Sequence, residues 1–151
     1  MLVTELIRRG AAYHGDRPAI LFGEDSLSFR DVERLSNRLA NLFVAGLGLA
    51  KRSPVALLLD NGLHSIPCDF ACVKAGLVRT PLNGRLSLAE HRAVLELAGA
   101  QVVFYGPSQV ERVSLPWERN GNGNGNRNGL GEHLGGLTKT VDQRPYLKRY
   151  G

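Results

Sequence analysis

The sequence predicts an α/β fold: a mostly parallel sheet with crossover helices, preceded by a β-hairpin and followed by a flexible C-terminal tail. Three observations predict it. Short apolar runs of strand length alternate with stretches of helical period between Pro18 and Tyr105. Two of those runs, Pro54 to Leu59 (PVALLL) and Gln101 to Tyr105 (QVVFY), are nearly or wholly apolar, as in strands covered on both faces. The order strand, helix, strand, helix, strand, helix, strand favours parallel pairing through right-handed crossovers.

The elements follow in order. Pro18 to Phe22 (PAILF) and Ser26 to Phe29 (SLSF), separated by Gly-Glu-Asp, carry a hairpin signal. Ser28 stands three residues before Asp31, the spacing at which a serine hydroxyl accepts an amide at a helix start and a carboxylate complements the helix dipole. A helix therefore begins near Phe29 or Arg30. Val32, Leu35, Leu39, Leu42 and Phe43 form its apolar stripe, Glu33, Arg34, Asn37, Arg38 and Asn41 take the other faces, and Gly46 ends it.

Pro54 to Leu59 is the next strand, ending at Asp60-Asn61-Gly62. A helix starts around Ser65 or Ile66, because a proline deeper than the first turn would cost about 3 kcal/mol and Pro67 must stay near the start. Ile66, Phe70 and Val73, with Cys68 and Cys72, are expected on its inner stripe, and Gly76 closes it. Leu77 to Leu82 (LVRTPL) reads as a short strand with an edge or terminal proline. Ser87 and Glu90 repeat the serine-x-x-acid signature before Val94, Leu95 and Ala98, a helix closed by Gly99. Gln101 to Tyr105 supplies the last strand.

Composition bounds what such a chain does. With 151 residues, 43% apolar and 22% charged, it has a globular composition and needs neither disulfides nor a structural metal to fold. Cys68 and Cys72 are the only cysteines, four apart in a helical stretch, and are read as buried small residues rather than zinc ligands or a bridge. The stretch MLVTELIRRGAAYHGDRP lacks the apolar core of a signal peptide. No run approaches the roughly 20 apolar residues of a membrane span, so no membrane span is expected and the location is read as cytoplasmic.

The net charge of +5 divides as 12 Lys+Arg against 10 Asp+Glu up to Gly106, and 7 against 4 from Pro107 onward. Composition changes at the same point. Between Asn120 and Gly136, five Asn and seven Gly fill 12 of 17 positions, leaving almost no apolar surface to offset the entropy of ordering. The expected organisation is a subdomain over 1–106 and a low-complexity Gly/Asn-rich linker and tail over 107–151. The tail run NGNGNGNRNG is glycine-rich, but no strand precedes it, no amphipathic helix follows it and no Gly-Lys-Ser/Thr occurs, so it is read as a linker and not a phosphate cradle.

His14, His64, His91 and His133 share no ligand or triad spacing and are read as surface or cap residues, and no metal site is expected. Lys74, Arg79 and Arg85 could line one rim, although scattered basic residues usually form a solvated face. The same holds for Lys139, Arg144, Lys148 and Arg149.

The succession LSFRDVERLSNRLANLFVAGLGLAKRSPVALLLDN followed by FACVKAGLVRTPLNGRLSLAEHRAVLELAGAQVVFYG resembles the opening portion of the acyl-adenylate-forming, AMP-dependent ligases, the acyl-CoA synthetases and their relatives. The resemblance implies ATP- and Mg-dependent activation of a carboxylic acid, such as a fatty acid, to an acyl-adenylate, then transfer to coenzyme A. The family's phosphate loop, its nucleotide-binding motifs and its catalytic lysine lie downstream of this region and do not occur in this sequence. No catalytic residue is therefore assigned, and no cofactor is expected for this chain alone.

The turn Pro81 to Arg85 (PLNGR) matches a family turn whose arginine contacts the phosphates of the CoA nucleotide, which makes Arg85 the one candidate cofactor-binding residue. A guanidinium is always charged and grips phosphate bidentately. The alternative is that Arg85 caps a carbonyl or is merely solvated. Gly84 stands where relatives commonly have Pro.

Three functions remain open at this point. The first is the N-terminal region of a ligase, truncated or split, working only with a complementary chain. The second is a noncatalytic protein-binding module whose apolar faces are covered by self-association or by the segment from Leu130 onward. Weak nucleic-acid binding through the basic tail ranks last, because its basic residues are sparse and no recognition motif accompanies them.

Overall fold

The computed structural model describes residues 2–100, 102–109 and 139–142. They belong to two compact units. One holds the chain up to Ser53 together with Asn61–Arg79, and the other holds Pro54–Asp60 and the described residues from Thr80 onward.

The first unit begins with helix α1 (Val3–His14), for which the sequence offered no cap: Leu2 makes no side-chain capping bond, and Ile7 is the helix's buried residue. Strands β1 (Pro18–Phe22) and β2 (Asp25–Ser28) form the expected antiparallel hairpin, with Ile20 opposite Leu27 and both buried. Gly23 makes the turn at φ +61°, a conformation other residues adopt at a cost.

Helix α2 (Phe29–Asn41) starts on a complete capping box. The Asp31 amide donates to Ser28 Oγ at 3.1 Å, and the Ser28 amide donates to Asp31 Oδ2 at 3.2 Å. Ser28 Oγ also donates to Asp31 Oδ2 at 2.6 Å, and that bond above all, with the one from the Ser28 amide, holds the Asp31 carboxyl below its ordinary value. Val32, Leu35 and Leu39 are buried as the helical period requires. The helix runs into a single π turn, Leu42–Gly46, in which Phe43 is fully buried and the Leu47 amide donates to the Leu42 carbonyl at 2.8 Å.

Helix α3 (Ser65–Ala75) packs on α2 and ends at Gly76, whose φ of +68° forms the left-handed cap. Pro67 lies in its first turn, as its missing amide demands. Its inner stripe differs from the expected one. Pro67, Cys68, Ala71, Cys72 and Ala75 are buried, whereas Ile66 and Val73 are 42% and 41% exposed. Small side chains let neighbouring backbone come close, and Cys and Ala rank with the most buried residue types. Burial pushes both thiols up, that of Cys72 to about 12.

The sheet runs in the order β4-β3-β5-β6, from β3 (Pro54–Leu58), β4 (Val78–Pro81), β5 (Val102–Tyr105) and β6 (Lys139–Asp142). β3 and β5 are parallel, with Val55 opposite Val102 and Leu58 opposite Tyr105. The amides of Val78 and Leu82 donate to the carbonyls of Ser53 and Leu57, so β4 runs parallel to β3 as well. β6 pairs parallel with β5, Val102 opposite Lys139 and Tyr105 opposite Asp142. No strand was expected in that stretch. The Asn120–Gly136 run and most of the expected tail lie outside the described residues.

The second unit's core comprises Ala56, Leu58, Leu82, Leu95, Ala100 and Val103, with Val94 and Tyr105 packed against it. Helix α4 (Leu88–Ala98) closes over it from a second capping box. The Ser87 amide donates to Glu90 Oε2 at 2.7 Å, and Ser87 Oγ does the same at 2.7 Å. The element order, the hairpin and the parallel β3, β4 and β5 agree with the sequence expectation.

Candidate functional site

In a parallel sheet, ligands are met in the crevice at the carboxyl ends of the strands, where the strand order reverses. Here the chain passes from β3 to β4 on one side of it and then to β5 on the other, so the reversal lies between β3 and β5. The residues following β3, β4 and β5 supply the polar side chains at that edge.

Asp60 follows β3. Its carboxylate accepts a hydrogen bond from Ser108 Oγ and another from Gln109 Nε2 at 3.1 Å. Ser108 and Gln109 belong to a short 3-10 turn after β5 (Pro107–Gln109), anchored by the Gly106 amide donating to the Leu58 carbonyl at 3.0 Å. Residues 48 and 49 positions apart thus meet because β3 and β5 are adjacent. Spacing along the sequence carries no signal of that meeting.

The turn Pro81 to Arg85 follows β4. It is fixed at its start by the Leu82 amide, which donates to the Leu57 carbonyl at 2.9 Å. The Asn83 side chain folds back on the turn, with Oδ1 accepting the Arg85 amide at 3.0 Å. A Cβ added at Gly84 would stand 3.1 Å from Gln109 Nε2 and 3.7 Å from Asp60 Oδ1, so the turn lies directly against the Asp60–Gln109 pair. Glycine at 84 lets the two loops meet without displacing the glutamine amide.

Arg85 is exposed, and its guanidinium makes no ion pair or hydrogen bond to a described residue. Its backbone is held while its charge remains available to an anion. The other two basic residues of the expected rim belong to the first unit and are engaged. Lys74 Nζ donates to Glu33 Oε2 at 2.6 Å, Ser36 Oγ at 2.8 Å and Asn37 Oδ1 at 2.7 Å, and Arg79 pairs with Asp69 at 2.5 Å. Among the described residues no group of three or more His, Cys, Asp and Glu comes together that could hold a metal ion.

The histidines divide. His14 is exposed, with its ring centroid 6.2 Å from that of Phe29. His64 precedes α3, and partial burial pushes it below its ordinary value. His133 lies outside the described residues. His91 corrects the surface reading: it is fully buried on α4, one helical turn before Leu95, and its Nε2 is bonded to the Asn83 carbonyl at 2.8 Å. A histidine in a helical stripe otherwise filled by Val94, Leu95 and Ala98 takes the core face by position, a signal the helical period contained.

Residues 7–133 match the AMP-binding enzyme family. The chain is 36% identical over 113 residues to an indoleacetate–CoA ligase of Aromatoleum aromaticum, covering 75% of this chain and 22% of that protein. It is 35% identical over 80 residues to the long-chain-fatty-acid–CoA ligase FadD13 of Mycobacterium tuberculosis, covering 53% of this chain and 16% of the ligase. Among solved structures, a putative long-chain-fatty-acid CoA ligase from Rhodopseudomonas palustris superposes with a TM-score of 0.74 at 25% identity, over 93% of this chain and 33% of that one. The chain spans about a fifth of the length of the curated relatives it matches. By the extent of that match, the chain belongs to the AMP-binding enzyme family and corresponds to the N-terminal portion of its acyl-CoA ligases.

Proposed function

We propose that this chain forms part of an ATP- and Mg-dependent acid–thiol ligase. That enzyme converts a carboxylic acid, of the fatty or aryl-acetic kind, to an acyl-adenylate and then to an acyl-CoA. In this reading residues 1–106 form the ligase subdomain, 107–151 are a linker and tail that lends β6 to the sheet, the enzyme is cytoplasmic, and the phosphate loop and catalytic lysine come from a complementary chain or segment. Among the described residues no helix is long and apolar enough to cross a membrane.

The observation that carries the proposal is the family match over residues 7–133, which includes the PLNGR turn. The geometry of that turn supports a role for Arg85 in gripping a phosphate of the CoA nucleotide: its backbone is fixed through Asn83, and its guanidinium is exposed and without a partner among the described residues.

The test is carboxylate-dependent exchange of pyrophosphate into ATP, with a panel of fatty and aromatic acids. The chain alone is expected to give none. A stoichiometric complex with a chain carrying the phosphate-loop region is expected to restore exchange, and Arg85→Ala in that complex should raise the KM for CoA about tenfold or more while leaving exchange intact. A complex that forms without exchange would overturn the ligase reading.

A second reading, a protein-binding module, is favoured by the apolar surface of the first unit, where Leu2, Leu6, Leu21 and Phe22 are exposed. Self-association in sedimentation experiments, without exchange in any complex, would support it.

A further inference from the structure

We propose that His91 is a positioning residue for Arg85, an inference that rests on the reading of Arg85 as a phosphate contact. Its Nε2 meets the Asn83 carbonyl oxygen at 2.8 Å. A carbonyl only accepts, so Nε2 carries the proton and Nδ1 carries the lone pair. Nδ1 is buried and has no hydrogen-bond partner among the described residues.

An apolar side chain of similar volume would fill the same core position without leaving a buried acceptor unsatisfied, which costs stability. Nor is the bond needed to satisfy the backbone, because the Asn83 carbonyl already accepts the Leu86 amide at 3.1 Å. What the imidazole adds is a second hold on Asn83. With its carbonyl fixed from α4, Asn83 presents Oδ1 to the Arg85 amide at 3.0 Å, so the residue bearing the exposed guanidinium is set by a side chain in the core.

Among the described residues no hydrogen bond joins Arg85 to His91 directly. The effect of His91 passes through Asn83, and the amides of Arg85 and Leu86 are the groups that report on it.

The test is amide hydrogen exchange in the whole chain, wild type against His91→Leu and His91→Gln. Leucine keeps the volume and removes the donor, while the glutamine amide reaches the Asn83 carbonyl. The expected result is exchange at Arg85 and Leu86 faster by about tenfold in His91→Leu, with β5 amides such as Val103 little changed, and restoration to within about twofold of wild type in His91→Gln. Equal exchange at Arg85 and Leu86 in wild type and a folded His91→Leu would overturn the proposal, as would a folded His91→Gln that behaves like His91→Leu.

Should neither variant fold, the imidazole ¹⁵N spectrum of the wild type decides. A protonated Nε2 and an unprotonated Nδ1 support the proposal, and the opposite tautomer overturns it. A parallel titration with adenosine 3′,5′-bisphosphate, followed at the Arg85 resonances of the complemented ligase, separates the two claims. No response there removes the phosphate role and leaves the exchange result to stand on the turn. A response that is the same in wild type and His91→Leu removes the positioning role alone.

Discussion

Lys74 Nζ sits 2.6 Å from Glu33 Oε2, joining α3 to α2 across 41 residues of sequence, and the two side chains are only 12% and 20% exposed. The same ammonium also donates to Ser36 Oγ and Asn37 Oδ1, so all three of its protons have acceptors. Removing one member strands the other in a poorly solvated place. Lys74→Met is expected to destabilise the protein by about 2 kcal/mol in urea unfolding. Adding Glu33→Gln to it should cost less than the sum of the two single changes, which a double-mutant cycle measures.

The Ser28 cap predicts a pH signature. Ser28→Ala removes the hydroxyl that accepts the Asp31 amide and donates to its carboxylate, and should cost about 1 kcal/mol at neutral pH. Because the folded state holds the Asp31 carboxyl below its ordinary value of 3.8, the stabilisation from that ionised carboxylate is present above this value and is lost as pH falls through the lower folded one. The gap between wild type and Ser28→Ala in thermal unfolding should therefore narrow below about pH 4. A gap that widens on acidification would contradict the assignment.

Both cysteines are buried, and burial favours the neutral thiol over the reactive thiolate. Neither Cys68 nor Cys72 is expected to react with a thiol-specific disulfide reagent in the native protein at neutral pH. Both should react at once in urea, and at intermediate urea the labelling rate should follow the opening of the structure around α3. Rapid native labelling of either would show that α3 is not seated as described.

Gly84→Ala places a methyl 3.1 Å from Gln109 Nε2. The obstacle is the end of a flexible side chain, so the cost should be modest, about 1 kcal/mol or less. The expected sign is a displaced Gln109 amide that no longer donates to Asp60, visible as a shift of its side-chain ¹⁵N–H₂ resonances while the α4 amides stay in place. Unchanged Gln109 resonances would mean that the two loops do not meet.

The parts of the fold legible in the sequence are those where a single residue type has a unique local task. Ser28 with Asp31 and Ser87 with Glu90 mark the starts of α2 and α4, and Gly76 and Gly99, both left-handed, mark the ends of α3 and α4. Helix α1 was missed because Leu2 offers no cap and Ile7 is its buried anchor. β6 was missed because four residues, KTVD, beyond a low-complexity run have no pattern apart from their partner β5. On α3 the buried cysteines were legible, but Ile66 and Val73 were placed inside on hydrophobic size where close packing gives the core to Ala71 and Ala75.

In the site, Arg85 was found only through the turn that contains it. The meeting of Asp60 with Ser108 and Gln109 depends on which strands are neighbours, and the hold of His91 on Asn83 depends on α4 folding back over the turn. Neither leaves a mark in local spacing.

The π turn at Leu42–Gly46 gives the chain a slack of one residue. A regular helix closes each amide onto the fourth residue back, and here the Leu47 amide closes onto the fifth, Leu42. Deleting a single residue between Val44 and Gly46 would let that turn tighten to α geometry, with Phe43 and everything before it left in phase. The same deletion inside Val32–Leu39 would rotate the remaining stripe by about 100° and turn Leu39 out of the core. Within the continuous helix from Phe29 to Gly46, this short stretch is therefore where loss of a single residue is best tolerated.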